Sequence, residues 1–479
     1  MMRLRLPFWV DRSSSPAPAS VVVPRLALIV AVCALVAFGT LMIYSSSSIT
    51  SMLADDSPTY YLRRQVEFVG IGAVIIVVFA RVDYHRFLGL FLKGAWALVL
   101  ALLVLTLTSA AGTDAYGATR WISVGGFTLQ PSEFVKFVVV LVAAKLLQEL
   151  ADGELDPTSF LKRSALGIVA PLFLVFVQPD KGSTIICAAT LIVMSFLAGC
   201  PKKIIAMVIV AGIMLVFLLA MRDSYSRQRV LVLLDPWSDE FGSGYQIIQG
   251  FYAFGSGGLF GLGIGMSRQK YSYLPMAYND FIYAVIGEEC GLVGTLGVLV
   301  GFVVIVWAGF EIARQAPDLT GSLIAAGSVS LFFIQLIVNI GGVLGMIPLS
   351  GKPVPFLSYG GSSVISCLVL VCLVLSVSYT TEAVGTVYDR RRERLGLAPE
   401  AGMEETDVAA RPGFTLHEGY RDGRPGRTFG SSPLVGSRSA GGWQRTNLGP
   451  SPSERLRSAR DASGRRTSST GGRGDRNRR

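Results

Sequence analysis

The chain has 479 residues, 51% hydrophobic and 16% charged, with a mean hydropathy of +0.52; this excludes an ordinary soluble domain, whose core needs no succession of apolar stretches each near ~20 residues long. The formal net charge of +10 is uneven: the segment 389–479 carries 19 Arg against 11 acidic residues, so +8 of it lies there and bulk basicity says little about a substrate. Six cysteines without a CxxC, nearly all in apolar runs, and only two histidines, His85 and His417, argue against a disulfide scaffold or a His-rich metal site.

Residues 1–24 form a short, basic, Pro/Ser-rich lead. No cleavable signal peptide is expected, because the first apolar run is long enough to span and no clear small-residue cleavage motif follows it. Apolar runs follow at 25–45, 65–80, 87–108, 132–148, 164–178, 183–200, 204–221, 281–310, 321–346 and 360–384. Most suit an α-helix crossing a hydrocarbon core of about 30 Å at roughly 1.5 Å per residue. The second is short, with Arg64 and Arg81 placed to snorkel. Glu133, Lys136 and Lys145 interrupt the fourth, which is a span or a re-entrant segment; the latter would invert the later topology. With the N-terminus inside, short cytoplasmic connections hold Arg81 and Arg86, Lys162 and Arg163, Lys202 and Lys203, Arg314, and Arg390 to Arg392. The positive-inside rule favours that orientation with an even number of spans. The expected fold is an all-α integral membrane protein of about ten transmembrane helices. It divides into the lead 1–24, a membrane domain 25–388 and a tail 389–479, with a long outer loop, 222–280, between the seventh and eighth spans. The tail, rich in Arg, Gly and Ser and without Lys, is expected to be disordered, with a general attraction to anionic lipid.

Four polar segments fall at or beside the outer face in this topology: Gly117–Lys136, Gln178–Thr184, Asp235–Glu289 and Asn339–Ser363. Four separated loops on one face can build one site. Asp280 ends the long loop immediately before an apolar run. Helix capping is the ordinary role of such an Asp; the preceding LPMAYN and the outer location point to function. Glu288 and Glu289 lie two to three turns further along that run, where carboxylates are costly. They serve the function, or they pair structurally with Lys136 or Lys145. Gly287, Gly291, Gly294, Gly297 and Gly301 have helical spacing, which suits close helix packing. The run GGLFGLGIG at 257–265 has no GK[ST] and follows no strand of a βαβ unit, so it reads as a turn that lets backbone approach a lipid headgroup, not as a nucleotide loop. Outer-side cations are Arg120, Lys136, Lys181, Arg227, Arg229, Arg268, Lys270 and Lys352; a subset near Asp280, Lys270 among them, is placed to hold a pyrophosphate.

Together the segments GATRWI, QPSEFVK, QPDKGST, LLDP, GYQ, QKYSYLP, NDFIYAVIGEECGLVG and PFLSYGGSS resemble, in order and spacing, the SEDS family (shape, elongation, division and sporulation) of FtsW, RodA and SpoVE. The resemblance covers roughly residues 25–385. It implies a ten-span fold with both ends cytoplasmic, in the bacterial cytoplasmic membrane. It also implies a peptidoglycan glycosyltransferase that polymerises lipid II at the outer leaflet beside a class B penicillin-binding protein and other division or elongation proteins. The family's essential Asp falls on Asp280 and its Trp on Trp121. Arg120, Gln130, Pro131, Ser132, Glu133, Lys136, Gln178, Asp180, Ser358, Gly360, Gly361 and Ser362 match its other motif positions.

Departures are Met276 and Tyr278 where the family has Glu and His, and Lys181 and Lys352 where it has uncharged residues. Both lysines are specific to this chain and are candidates for pyrophosphate binding. In the reaction so implied, Asp280 takes the proton of an acceptor sugar hydroxyl, while Arg120, Lys136 and a divalent cation such as Mg or Mn offset charge on the departing pyrophosphate. The substrates are lipid II and an undecaprenyl-pyrophosphate-linked glycan; no nucleotide and no nucleic acid is expected. Competing readings are a lipid II flippase or transporter, supported by the intramembrane charges, and a non-catalytic scaffold for division proteins. The Arg-rich tail favours a division role over elongation.

Overall fold

A computed structural model describes residues 19–382 apart from 55, 56, 109–111, 116, 117, 125, 126 and 223. All of them belong to one of the chain's two compact units, Met1–His417. The tail 389–479, most of the lead 1–24 and the reading of the tail as disordered lie outside the described residues.

Each apolar run lies on a helix. In chain order these are α1 (Ala19–Leu53), α2 (Tyr60–Phe79), α3 (Tyr84–Leu107), α4 (Pro131–Ala151), α5 (Pro157–Val177), α6 (Lys181–Leu197) and α7 (Lys202–Arg222). Two shorter helices in the long loop follow, α8 (Ser224–Leu234) and α9 (Tyr245–Gly257). The last three are α10 (Ile282–Gln315), α11 (Leu319–Val343) and α12 (Gly361–Glu382). Among the described residues six helices are long and apolar enough to cross a membrane: α1, α3, α5, α10, α11 and α12. At 35 residues, α1 is about 50 Å long, well beyond a core of about 30 Å, so one end projects past it. Helix α4 is continuous despite its charges, because Lys136 turns back onto Glu133 one turn earlier at 2.7 Å and Lys145 faces Glu149.

The centre of the molecule is built from α11 and α12. Small residues let helices close on each other there: Gly309 packs on Val329, Gly327 on Met194 and Gly72 on Leu368. Phe302, Phe332 and Phe356 fill the space between α10, α11 and the loop before α12, and all three are buried.

Two features depart from an all-α fold of straight spans. A three-stranded antiparallel sheet, β1 (Gly112–Ala115), β2 (Ala118–Val124) and β3 (Phe127–Leu129), lies between α3 and α4. Its registers include Thr113 opposite Trp121 and Ile122 opposite Leu129; the Thr, Trp, Ile, Val and Phe of this stretch are the residues a pleated surface favours. Secondly, α10 is broken at Gly291, whose φ of 66° and ψ of −162° are not helical. The Tyr283 hydroxyl donates to the Thr295 carbonyl at 3.3 Å. In a straight helix twelve residues would separate these groups by about 18 Å, so the chain doubles back at Gly291. Ile282–Cys290 is therefore a short buried helix in its own right, and the expected single run 281–310 is two pieces.

Candidate functional site

The N-terminal ends of α4 and α6 are joined by one carboxylate. Asp180 precedes α6 and caps it, accepting the Ser183 backbone N–H at 3.1 Å. Its other oxygen accepts from the Ser132 hydroxyl at 2.7 Å, the Gln130 amide at 3.2 Å and the Lys352 ammonium at 2.7 Å. Asp180 and Lys352 are both buried. Burial alone would raise the carboxyl pKa; the Lys352 ammonium and the hydrogen bonds outweigh it and hold the group well below the usual carboxylate range.

A second node lies one turn along α4. The Lys136 ammonium donates to Glu133 and, at 2.8 Å, to the Gln335 side-chain oxygen of α11. The Glu133 carbonyl accepts from the Ser366 hydroxyl of α12 at 2.7 Å, and the Gln130 N–H reaches the Ser362 hydroxyl at 3.3 Å. Gln178 ties the end of α5 to α3 through the Leu103 carbonyl at 2.8 Å and the Thr106 hydroxyl. Ser358 accepts the Val354 N–H at 2.8 Å and closes the turn before α12. Gly360 makes only ordinary contact with Ser363, whereas a Cβ at Gly361 would lie 2.4 Å from the Phe68 ring, so α12 meets α2 there only with glycine. Trp121 sits in β2 and is partly buried; Arg120 precedes it in the same strand, its side chain outside the described residues.

Asp280 sits in the turn leading into the short helix Ile282–Cys290, half-buried. Its backbone carbonyl accepts from the Asn339 amide of α11 at 2.8 Å, and the same amide donates to the Lys352 carbonyl at 2.7 Å. Gly351 faces the carboxylate: a Cβ there would lie 3.7 Å from Oδ2. Burial pushes the Asp280 pKa up to about 6, against the pull of its own backbone N–H and of the Arg229 guanidinium of α8. Arg229 also donates to the Leu349 carbonyl. Tyr278 packs on Tyr61 with ring centroids 4.6 Å apart and accepts the Tyr359 N–H at 3.0 Å, which fixes the loop two residues before Asp280.

The segment 347–360 therefore threads every part of the site. Leu349 meets Arg229, Gly351 faces Asp280, Lys352 reaches Asp180, and the Pro353 carbonyl accepts from Gln335 at 2.7 Å. Of the residues marked from sequence, Gln130, Ser132, Asp180 and Ser362 form one cluster with Lys352, and Glu133 with Lys136 forms the next. Lys270 is elsewhere: its ammonium donates to the Gly265 carbonyl and lies 3.6 Å from Glu289.

Glu288 and Glu289 pair with neither Lys136 nor Lys145. They hold the loop 256–270 against the reversal at Gly291. Glu288 accepts from the Ser267 hydroxyl and, at 2.9 Å, from the Arg268 N–H; Glu289 accepts from the Ser45 hydroxyl of α1 at 2.7 Å. Within the glycine run 257–265, Gly261 approaches backbone: a Cβ there would lie 2.2 Å from the Glu289 carbonyl oxygen, and Leu262 N–H donates to Glu288 O at 2.9 Å.

Sequence reasoning passed over Gln335 and Asn339 as site residues. They are two amides four apart in an otherwise apolar run, hence on one helix face, and that spacing was the available signal. Among the described residues no three His, Cys, Asp or Glu side chains converge as a metal site would require. Asp280 stands beside the Arg229 guanidinium.

Known proteins with this pattern are consistent with one another. The sequence matches the cell cycle protein family of FtsW, RodA and SpoVE over residues 25–383. It is 40% identical over 358 residues to the stage V sporulation protein E of Bacillus subtilis, covering 74% of this chain and 97% of that one. It is 38% identical to a probable peptidoglycan glycosyltransferase FtsW of Trichlorobacter lovleyi, covering 74% and 92%. In structure it resembles a chain of a peptidoglycan synthase complex that coordinates polymerization and crosslinking, with a TM-score of 0.61 and 28% identity over 74% of this chain and 98% of that one. The match runs through the whole helical part that carries the site, and the chain belongs to the FtsW, RodA and SpoVE family of cell cycle proteins.

Proposed function

We propose that this chain is a peptidoglycan glycosyltransferase that polymerises lipid II at the outer face of the bacterial cytoplasmic membrane, with Asp280 as general base. Ten spans with both ends cytoplasmic put the outer ends of α4, α6 and α12 and the long loop on that face; the Lys and Arg distribution in the short loops supports this orientation. The single observation that carries the reading is the position of Asp280. Its carboxylate faces the segment 347–360, which also binds the clusters at Asp180 and Gln335, so the separated motif segments meet at the loop beside it.

The sugar hydroxyl of an incoming lipid II attacks the anomeric carbon of the growing strand. Its proton passes to Asp280, the bond to the undecaprenyl pyrophosphate breaks, and the pyrophosphate leaves with the bonding electrons, inverting the anomeric centre. A carboxylate that ionises near 6 is largely unprotonated at neutral pH yet a better base than an exposed Asp. General bases of this type contribute about 10²–10⁴ in rate. Arg229 beside Asp280, and Arg120 in β2, are the cations assigned to the leaving pyrophosphate. Lys136 and Lys352 are consumed by Glu133 and Asp180 and act by fixing helices to one another. This internal pairing of the buried charges also removes the main support for a transporter. The partner is a class B penicillin-binding protein that crosslinks the new strands, a reading supported by the likeness to a complex of polymerization and crosslinking.

Purified protein in liposomes, given lipid II and assayed for both glycan strands and translocation, tests the proposal. Glycan strands from the wild type are expected; lipid II crossing the bilayer without polymer would overturn it.

A further inference from the structure

We infer that the Asn339 carboxamide is a positioning residue for the transfer reaction, tying the backbone that carries Asp280 to the loop that carries Gly351 and Lys352. The inference rests on the assignment of Asp280 as base. The amide donates at once to the Asp280 carbonyl at 2.8 Å and the Lys352 carbonyl at 2.7 Å. Two carbonyl partners fix which end of the amide is nitrogen, because the oxygen cannot donate. That oxygen is buried and meets no protein hydrogen-bond donor in this structure, so the contacts to the two loops are made by the N–H groups. Gln335, one turn earlier, holds the next carbonyl, Pro353, and the Lys136 ammonium. Two amides of α11 thus fix consecutive residues of the loop, and only Asn339 also reaches the base.

The distance from Asp280 Oδ2 to Gly351 is set by this suture. Without it, the turn 276–281 and the loop 347–353 lose a shared donor, two carbonyls lose a buried partner, and water gains access to the carboxylate. Among the described residues few other charges face Asp280. Helix α8 contributes Arg229. Lys352 is next to Gly351, but its ammonium is on Asp180. Helix α11 contains no titratable residue, and α9 presents Gly250 to the neighbouring Phe281. Glu288 and Glu289 lie at the far end of the short helix and bind residues 267 and 268.

The test measures kcat, KM and the pH dependence of kcat/KM for polymerisation, with thermal melting, in wild type, Asn339→Ala, Asn339→Asp and Asp280→Asn. Displacement of a reacting group by about 1 Å costs on the order of 10²-fold in rate. Asn339→Ala is expected to lower kcat by about 10–100-fold with KM nearly unchanged. The acid limb of its pH profile moves below that of the wild type, as water reaches the carboxylate. Asn339→Asp, nearly isosteric, places a like charge beside the base and moves the limb the other way; it carries the test if the Ala variant does not fold. A residue that only packs α11 would lower the folded yield and leave the limb where it was. A folded variant with wild-type kcat and limb overturns the inference, whereas an active Asp280→Asn overturns the assignment of the base itself.

Discussion

Replacing Asp280 by Asn separates the two consequences of burying a carboxyl group beside the reaction centre. Burial pushes its pKa up to about 6 from an ordinary 3.8. Between those values the folded protein still holds a proton that the unfolded chain has released. Stability from this group is therefore highest below the unfolded value, falls as pH rises through the interval, and stays low above about 6. At about 1.36 kcal/mol per tenfold change, the full difference corresponds to about 3 kcal/mol. The side chain keeps some contact with solvent, which leaves roughly 1–3 kcal/mol. Asn has the same shape and no charge, so the variant gains this amount at pH 8 and almost none at pH 3. Thermal unfolding of detergent-purified protein at the two pH values reads it directly. The variant melts higher than the wild type at pH 8, and the two curves converge at pH 3. Equal or lower melting of Asp280→Asn at pH 8 would show that the carboxylate is not held in a costly environment.

The same pKa sets the rate profile. The kcat/KM for polymerisation rises about tenfold per pH unit below 6 and levels above it; a flat profile between pH 5 and 7 contradicts a base of this kind. Lys352→Met leaves Asp180 buried and uncompensated, at a cost of about 3–5 kcal/mol. The double variant with Asp180→Asn recovers most of it in a melting experiment, and a Lys352→Met protein of unchanged melting temperature would refute the pairing. Gly291→Ala is strained twice over: its φ is 66°, and a Cβ would lie 2.4 Å from the Gly261 nitrogen. Limited proteolysis within 257–280 should therefore accelerate, by more than the ~1 kcal/mol of an ordinary Gly replacement implies; a wild-type digestion rate contradicts the reversal.

Helix positions were legible because burial in lipid demands long apolar runs, and all ten runs are helical. The sheet was not, since strands of three to seven residues carry little periodic signal; the Gly125–Gly126 pair between β-favouring residues was the one usable cue. Glycines 287 to 301 read as a packing stripe, yet Gly291 is a break. Nothing local distinguishes the two roles, because the break is stabilised by residues 258–263 docking on it. The partners of Glu288 and Glu289 were invisible for a related reason, being largely backbone N–H groups and serine hydroxyls, which leave no charge pattern. Asp180 and Lys352 are 172 residues apart, and no spacing rule joins them. Asp280 stood out through the polar run LPMAYN before it and the apolar run after it; its backbone tether to Asn339 of α11 appears only in three dimensions.

The most direct measurement is the rate of lipid II polymerisation by purified wild type and Asp280→Asn, in the same lipid, at pH 8, with both proteins shown to be folded by their melting curves. The account predicts glycan strands from the wild type and a loss of at least about 10² in the variant. Polymer formed at the wild-type rate by a folded Asp280→Asn protein would contradict it.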